Sequence, residues 1–282
     1  MKNKITVIWL LLFTFGSGLW AEPRTGPSGQ DKIKLAEFEK FLETASIVSV
    51  DKGKVPGRND PWIVRLNDGK SARKGIFKYI DRAAPAYLRV SYKYEIAAYR
   101  LDRLMGLGRV PPAVERVVEG TRGSLQLFLE GCINEKDRRL KKLEPPDSRA
   151  FEEDLEEINV FEILTACEPG KLDEILIHTE TWQVCRIDFS EAFTSSAELI
   201  NGQEIKRCSR RLYQGLRQLK DAALREKMKP CLGEAEIKGL IGRKKAILDK
   251  IGRLIKEKGE AAVHFRDLPS RAQHGDAQRD CG

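Results

Sequence analysis

The stretch that most constrains this chain is a helix pattern, Tyr92 to Gly108, enclosed by two strand patterns. Before it, the alternating run Lys74–Ile80 predicts a strand that carries Lys78. After it, a proline pair at positions 111 and 112 ends the helix, and two strands follow at Val114–Val118 and Gly123–Leu129. The residues predicted on the buried face of the helix are Ala97, Leu101, Leu104 and Met105. The rest of the fold has to be built around this strand–helix–strand unit.

The flanking sequence divides into a strand-rich half and a helix-rich half. Upstream, the pattern predicts a short helix at Leu35–Leu42, strands near Ile47–Val50 and Trp62–Leu66, and a tight turn at Asn67–Gly69. Downstream, residues 134–150 indicate a charged surface connection. The later predictions are a helix from Phe151, a hairpin of Glu174–Ile177 with Trp182–Ile187, and helices at Ile205–Lys220, Asp221–Met228 and Glu234–Lys258. We therefore expect an α+β fold of two lobes, residues 35–131 and 132–265, with a disordered tail at 266–282.

The first residues predict an export signal. Lys2 and Lys4 precede the apolar run Ile5–Phe15, and small residues then lead to Ala21. A positive start, a short apolar segment and a cleavage site after a small residue are typical of a signal peptide, here residues 1–21. The run is shorter than the ~20 apolar residues that span a bilayer, although an uncleaved anchor stays an alternative. We expect a periplasmic or extracellular mature chain with a flexible leader over residues 22–34 and no transmembrane segment.

Charge and cysteine content narrow the function classes. Removing Lys2 and Lys4 lowers the net charge from +8 to +6, and the basic residues are mixed with acidic ones. A nucleic-acid partner is therefore not expected, because it would require basic clusters interleaved with aromatic residues. The cysteines show no C-x-x-C spacing, which argues against a zinc site, and they can be either disulfides or buried thiols. They are Cys132, Cys167, Cys185, Cys208, Cys231 and Cys281.

A strand lysine followed by a helix glutamate is an arrangement that can hold nucleotide phosphates. A strand lysine, Lys78, can neutralise phosphates, and a helix glutamate, Glu95, can orient its ammonium group. Asp188 directly follows a predicted strand. The alternatives are an edge-strand lysine, which discourages aggregation, and a solvated glutamate that favours the helix dipole. The loop with Gly53, Pro56 and Gly57 can cover phosphates through its N–H groups or be an ordinary loop.

Three segments of the chain resemble a known family. They are "YKYEIAAYRLDRLMGLGRVPPAVERVVEGTRGSLQLFLEG", "FEILTACEPGKLDEILI" and "CRIDFSEAF". These segments resemble exported bacterial proteins with a protein-kinase-like fold, related to phosphatidylinositol 3-/4-kinase-like domains and secreted atypical kinases. The resemblance spans Ser46 to Phe265 and is most specific over residues 92–131. It implies a small β-rich N-lobe with one central helix, a helical C-lobe with a short β-hairpin, and a hinge between them.

The resemblance also implies roles for individual residues. Lys78 matches the phosphate-contacting lysine, Glu95 its salt-bridge partner and Asp188 the metal-binding aspartate. ATP and Mg²⁺ are the cofactors that these positions imply. The hinge that would receive adenine is expected at Gln126, Phe128 and Glu130.

The catalytic loop departs from the family pattern. Pro169 occupies the position of the catalytic aspartate, Gly170 that of its neighbouring arginine, and Glu174 that of the metal-binding asparagine. Proline cannot accept a proton, and loss of a positioned base costs about 10²–10⁴-fold in rate. Glu168 or Asp173 would have to act as the base instead, and Glu174 could ligate Mg²⁺ through oxygen.

Three functions follow from these observations. The first is a pseudokinase that binds nucleotide or a protein partner through a degraded kinase-like site. The second is an active ATP-dependent kinase, acting on a protein or a small molecule, with Glu168 or Asp173 as base. The third is an interaction protein that binds no nucleotide.

Overall fold

The fold is mixed α and β, as the sequence predicted. A computed structural model describes residues 29–53, 60–83, 89–199 and 204–265. The signal peptide, the start of the leader, the tail from residue 266 with Cys281, and Pro56 and Gly57 of the loop lie outside these ranges. The helices are α1 (Gly29–Thr44), α2 (Lys93–Met105), α3 (Glu135–Leu140), α4 (Ser148–Thr165), α5 (Arg210–Gln218), α6 (Asp221–Met228), α7 (Glu234–Lys258) and α8 (Glu260–Val263). The strands are β1 (Ser46–Asp51), β2 (Trp62–Asn67), β3 (Ala72–Lys78), β4 (Asp81–Ala83), β5 (Arg89–Ser91), β6 (Ala113–Val118), β7 (Thr121–Leu127), β8 (Cys132–Asn134), β9 (Ile175–His178), β10 (Val184–Arg186), β11 (Cys208–Ser209) and β12 (His264–Phe265).

A five-stranded antiparallel sheet has the order β1-β2-β3-β7-β6. The predicted turn between β2 and β3 is confirmed: Asn67 Oδ1 accepts the N–H of Gly69 at 2.6 Å, and Gly69 has φ +85°. This conformation favours glycine because it has no Cβ. β3 is consequently the central strand of the sheet, so the interpretation of Lys78 as an edge-strand lysine is wrong.

Alternation along β3 separates the two faces of this sheet. Phe77 is fully buried on one face, in a core that α1 covers with Phe41 and Leu42. Arg116 donates to the carbonyl oxygens of Leu42 and Ala45, which satisfies acceptors at the end of α1. Since α1 begins at Gly29, the leader expected to run to residue 34 is too long: residues 29–34 are helical.

The central helix α2 is buried on most of its circumference, because it packs against β6 and β7 and also against α5 and α6. Ala97, Leu101 and Met105 are buried as predicted, whereas Leu104 is 40% exposed, so that prediction is wrong. The helix ends at Gly106, which has φ +68° and closes the last turn in the left-handed conformation.

The second half is mainly helical. Its largest core joins α2 to α4, α5, α6 and α7, and α6 and α7 have the predicted bounds. The predicted hairpin is confirmed as β9–β10, but β8 joins it to make a third strand. The segment 134–150 also contains α3, whose first turn is capped by Asn134 Oδ1 at 2.7 Å from Asp137 N. The surface connection expected there is therefore partly regular structure.

The helix expected from Ile205 begins only at Arg210. Ser209 Oγ accepts the N–H of Leu212 at 3.0 Å and so caps the helix. The preceding residue, Cys208, pairs in parallel with His264 in a two-stranded sheet. The helix therefore begins where Ser209 can cap it, and apolar periodicity alone does not predict that position.

The described cysteines carry no disulfide. Cys132 is half-buried, and Cys167, Cys185, Cys208 and Cys231 are buried thiols. Of the two interpretations left open by the sequence, thiols rather than disulfides hold for these five positions. Within the described ranges, no helix combines the length and apolar character that crossing a membrane requires.

Candidate functional site

The centre of the candidate site is the Lys78 ammonium group. Lys78 is the last residue of β3 and pairs with Ser124 of β7, so its side chain projects from the face opposite Phe77. Its Nζ lies 2.7 Å from Glu95 Oε1 and 2.8 Å from Asp188 Oδ1. The structure thus brings together three residues that the sequence singled out at separations of 17 and 110 positions.

Glu95 belongs to the first turn of α2 and is almost completely buried, with 1% of its side chain exposed. This burial rules out the solvated glutamate that the sequence left open. Oε1 accepts from Lys78 and also from the N–H of Phe189 at 3.1 Å. Oε2 has no hydrogen-bond partner among the described residues. One carboxylate oxygen of Glu95 therefore connects α2 by hydrogen bonds to both β3 and the segment after β10.

Asp188 stands two residues beyond the end of β10, in the left-handed region with φ +61°. For a residue with a side chain this conformation is uncommon and costs about 1–3 kcal/mol, and such residues concentrate at functional sites. Its Oδ1 accepts from Lys78 and from Ser190 Oγ at 2.7 Å. With 38% of its side chain exposed, Asp188 is the most accessible member of the three.

Lys78, Glu95 and Asp188 shift one another's pKa values. Burial lowers the pKa of Lys78, but the carboxylates of Glu95 and Asp188 outweigh it and raise the pKa above its ordinary value. Burial raises the pKa of Asp188, while the Lys78 ammonium and Ser190 lower it well below the usual range. For Glu95 burial is dominant, and its pKa is raised despite Lys78. The Lys78–Asp188 pair therefore stays ionised at neutral pH.

The two candidate bases do not join this cluster. Glu168 is 66% exposed on its side chain, and its Oε2 lies 3.2 Å from Lys171 Nζ. Asp173 is exposed in a 3₁₀ turn, Leu172–Glu174. In the part of the chain that the structure describes, neither carboxylate contacts Lys78 or Asp188.

Glu174, the candidate metal ligand, is paired with two cations. Its Oε2 lies 2.6 Å from Arg186 Nη2, and its Oε1 lies 3.4 Å from Lys171 Nζ. Arg186 is fully buried and also pairs with Glu162 at 2.6 Å. Burial raises the pKa of Glu174, Arg186 lowers it, and the nearby Asp188 carboxylate adds to the raise. Glu174 is therefore close to Asp188 in electrostatic terms, but its oxygens are already engaged.

Asp188 and Glu174 are the acidic residues whose surroundings bear on metal binding. Among the residues described, no group of three or more His, Cys, Asp or Glu side chains could hold a metal. Mg²⁺ is commonly bound by one or two carboxylates together with substrate phosphates and water. Asp188 could supply one such carboxylate, because part of its side chain is exposed. Glu174 could do so only after breaking its ion pair with Lys171 or Arg186.

The expected hinge residues lie apart from the three charged groups. Gln126 is buried, with Nε2 3.5 Å from the carbonyl oxygen of Pro111. Phe128 and Glu130 line a cavity of about 740 Å³ whose walls include none of Lys78, Glu95 or Asp188. Lys74 links them, since its Nζ lies 2.9 Å from Glu130 and 5.4 Å from the centre of the Phe128 ring. Phe128 and Glu130, two of the three residues named for adenine, thus line a different place from the side chains named for phosphate.

Sequence reasoning missed two residues that shape the site. Lys171 lies within 3.8 Å of Glu168, Glu174 and Glu191, in the very loop where the base was sought. Arg186 occupies a fully buried strand position two residues before Asp188. The sequence could have indicated Arg186, because it is an arginine inside an otherwise apolar strand. An arginine buried there needs acidic partners.

Comparison with known proteins assigns no family. No family model matches the chain, and no curated protein matches it. Two solved structures of CtTel1, a complete dimer with C2 symmetry and an open conformation, match at 12% sequence identity with TM-scores of 0.40 and 0.41. Each match covers 78% of this chain and 12% of the CtTel1 chain. These scores are too low to carry a conclusion about fold or function.

Proposed function

We propose that this chain is an exported, kinase-like nucleotide-binding domain of two lobes whose phosphoryl-transfer activity is degraded. The observation that carries this proposal is the Lys78 ammonium, held 2.7 Å from Glu95 and 2.8 Å from Asp188. A buried lysine between two carboxylates on separate elements has a position and a charge that are set before any ligand binds.

Lys78 and Asp188 are the residues that would contact a bound nucleotide. Lys78 neutralises phosphate charge, and Glu95 restricts where its ammonium points, because one carboxylate oxygen also binds the N–H of Phe189. Asp188 is the candidate ligand of a magnesium ion that arrives with the phosphates. Such an ion would supply neutralisation of the phosphate oxygens.

The loop after α4 supports weak or absent catalysis. Pro169 offers no proton acceptor, and Lys171 lies 3.2 Å from Glu168 and 3.4 Å from Glu174. Both carboxylates therefore pair with Lys171 rather than with the Lys78–Asp188 pair. Asp173 is exposed, and no ion pair with another described residue positions its side chain in the cleft.

Nucleotide binding is tested by thermal unfolding with ATP and Mg²⁺. A ligand that binds only the folded state adds about 2.7 kcal/mol at one hundred times its dissociation constant. We expect the wild type to gain stability, Lys78→Met and Asp188→Asn to lose most of that gain, and Lys229→Met, an exposed lysine after α6, to keep it. Absence of any gain at millimolar ATP would contradict nucleotide binding and leave the interaction protein.

Catalysis is tested separately by following the transfer of labelled γ-phosphate to the chain itself and to water. We expect release no faster than in buffer. Transfer that survives in the wild type and is lost in Glu168→Gln or Asp173→Asn would establish the active kinase instead. Both variants have exposed side chains, so loss of folding is not expected.

A further inference from the structure

A cavity lies beside the segment after β7, and its walls include none of Lys78, Glu95 and Asp188. It has a volume of about 740 Å³, which lies within the ~300–1,000 Å³ of ordinary ligand pockets. Its walls come from α1, the adjoining ends of β2 and β3, the residues before β6, the residues after β7, and the β9–β10 turn. Several separate chain segments therefore enclose it, which suits a single small molecule better than a flat partner surface.

The wall of this cavity is apolar over several of these segments. Phe38 comes from α1, Val110 and Pro112 precede β6, and Leu127 and Leu129 belong to the end of β7 and the residue pair beyond it. Phe38 and Leu129 are only partly buried against the core, so hydrocarbon faces the cavity. Covering that surface with a hydrocarbon ligand removes apolar area from water, which favours binding.

The charge around the cavity is unbalanced. Four basic residues line it, all from α1, β2 and β3, against two acidic ones, Glu130 and Glu180. Lys74 is already paired with Glu130 at 2.9 Å, and Arg65 lies 3.5 Å from Asp51. The basic residues are Lys34, Arg65, Arg73 and Lys74. Because Lys74 and Arg65 are paired, Arg73 is the basic residue whose charge favours an anionic ligand group.

Arg73 is the basic residue best placed to bind that group. Its guanidinium lies over the Phe38 ring at 5.0 Å, which holds the side chain against a wall of the cavity. No described carboxylate is within ion-pair distance of it. Arginine binds carboxylates in a bidentate way, so a positioned guanidinium beside an apolar wall can orient one acidic head group.

A second donor is aimed by the β9–β10 turn. His178 Nδ1 accepts the N–H groups of Glu180 and Thr181 at 3.3 Å, which assigns the ring proton to Nε2. Nε2 lies beside Gly131, where a Cβ atom would be 3.4 Å away. Both residues line the cavity, so this N–H is available to a polar atom of a ligand.

We infer that this cavity binds an amphipathic anion, an unbranched alkyl carboxylate of the fatty-acid class, with its carboxylate on Arg73 and its chain along the apolar wall. The cavity includes none of Lys78, Glu95 and Asp188, on which the proposed nucleotide site rests, although Phe128 and Glu130 of the expected hinge line it. The proposal is a free amphiphile rather than a bilayer lipid, because residues from several separate chain segments line the cavity, and the vesicle experiment below distinguishes the two.

The test is calorimetric titration of the full chain with laurate, dodecylamine and dodecanol below their aggregation limits. We expect laurate to bind, dodecanol to bind at least about tenfold more weakly and dodecylamine not to bind, because only laurate pairs with the guanidinium. Arg73→Gln should weaken laurate binding by at least about tenfold. The matched control is Arg122→Gln, an arginine of β7 with 68% exposure, which should leave laurate binding unchanged.

Two further arms separate the cavity from the surface. Thr181→Trp, which adds bulk at a lining residue, should abolish laurate binding while circular dichroism and the unfolding temperature stay those of the folded chain. Phosphatidylglycerol vesicles should not sediment the protein. Equal binding of laurate and dodecylamine, unchanged affinity in Arg73→Gln, or preference for vesicles over free laurate would each overturn the assignment.

Discussion

At the scale of single residues, the buried charges dominate. Lys78 connects two carboxylates, one of which has only 1% of its side chain exposed. An ion pair of this kind adds little net stability when both partners are intact, because desolvation offsets attraction. Removing one partner is costly, since the other charge is then left buried alone. The consequences of mutation are therefore asymmetric.

Lys78→Met should lower the free energy of unfolding by about 3–5 kcal/mol near neutral pH. The loss should be smaller at acidic pH than at neutral pH, because Glu95, whose pKa is already raised by burial, can take up a proton as the pH falls. Urea unfolding at the two pH values measures both effects. Lys78→Met combined with Glu95→Gln should recover most of the stability, and simple additivity of the two single losses would contradict this account.

Asp102 should make the free energy of unfolding depend on pH. Burial raises its pKa to about 7, against lowering by the N–H of Arg109, the charge of Arg211 and the N–H of Gly108. The folded pKa lies above the unfolded one, so the stability that Asp102 contributes is full below about pH 4 and is lost as pH rises toward 7.

Asp102→Asn removes this titration, so we expect a flatter plot of unfolding free energy between about pH 4 and pH 7. Denaturant unfolding across that range measures the slope. Equal slopes for the wild type and for Asp102→Asn would contradict the role of Asp102.

Glu157 should make the free energy of unfolding depend on pH in the opposite direction, and at lower pH than Asp102 does. Burial raises its pKa, but Arg211 and Arg109 lower it to about 2. The folded pKa lies below the unfolded one, so the stability that Glu157 contributes is present above about pH 4.5 and is lost as pH falls toward 2.

At the scale of elements, α7 shows how close packing depends on glycine. A Cβ at Gly239 would lie 2.6 Å from the carbonyl oxygen of Thr194 and 2.8 Å from the backbone of Ser195. A Cβ at Gly252, in the same helix, would meet nothing within 4 Å. The apolar stripe of α7 predicted that this helix faces a core. It did not predict that the backbone of residues 194–195 packs against Gly239, because that contact exists only in the tertiary structure.

The same substitution should therefore have opposite effects at these two positions. Gly239→Ala should destabilise the protein by about 1–3 kcal/mol, because backbone must move. Gly252→Ala should stabilise it by about 0.5–1 kcal/mol, because alanine favours the helix. Thermal unfolding of the two variants provides the comparison. Shifts of the same sign would contradict the packing of α7 on residues 194 and 195.

Elements were easier to predict than their partners. Apolar periodicity is local, so it identified α2, α6, α7 and the hairpin β2–β3 from residues a few positions apart. The pairing of β8 with β9 joins segments that are far apart in the chain, and the two-residue strand β11 pairs with β12. Such contacts have no local period, which explains why these strands were not predicted.

At the scale of the whole molecule, stability rests on packing without cross-links among the described cysteines. Four of these five thiols are buried, and none of the five is in a disulfide. We expect a reducing agent to leave the unfolding temperature unchanged. Alkylation in denaturant without reduction, followed by mass spectrometry, should label these five positions. A lower unfolding temperature after reduction, or unlabelled cysteines among the five, would show that disulfides form.

The sequence by itself determined the α+β class, the central strand–helix unit and the types of residue that carry charge. Their local patterns depend only on neighbouring residues. The sequence suggested that Lys78 pairs with Glu95. Only the tertiary structure decided that Asp188 also contacts Lys78, that Lys171 pairs with Glu168 and that Arg186 pairs with Glu174. It also separated Phe128 and Glu130 from that cluster. The physical reason is that an ion pair or a cavity wall joins segments far apart in the chain, and each carboxylate pairs with the cation that folding brings nearest.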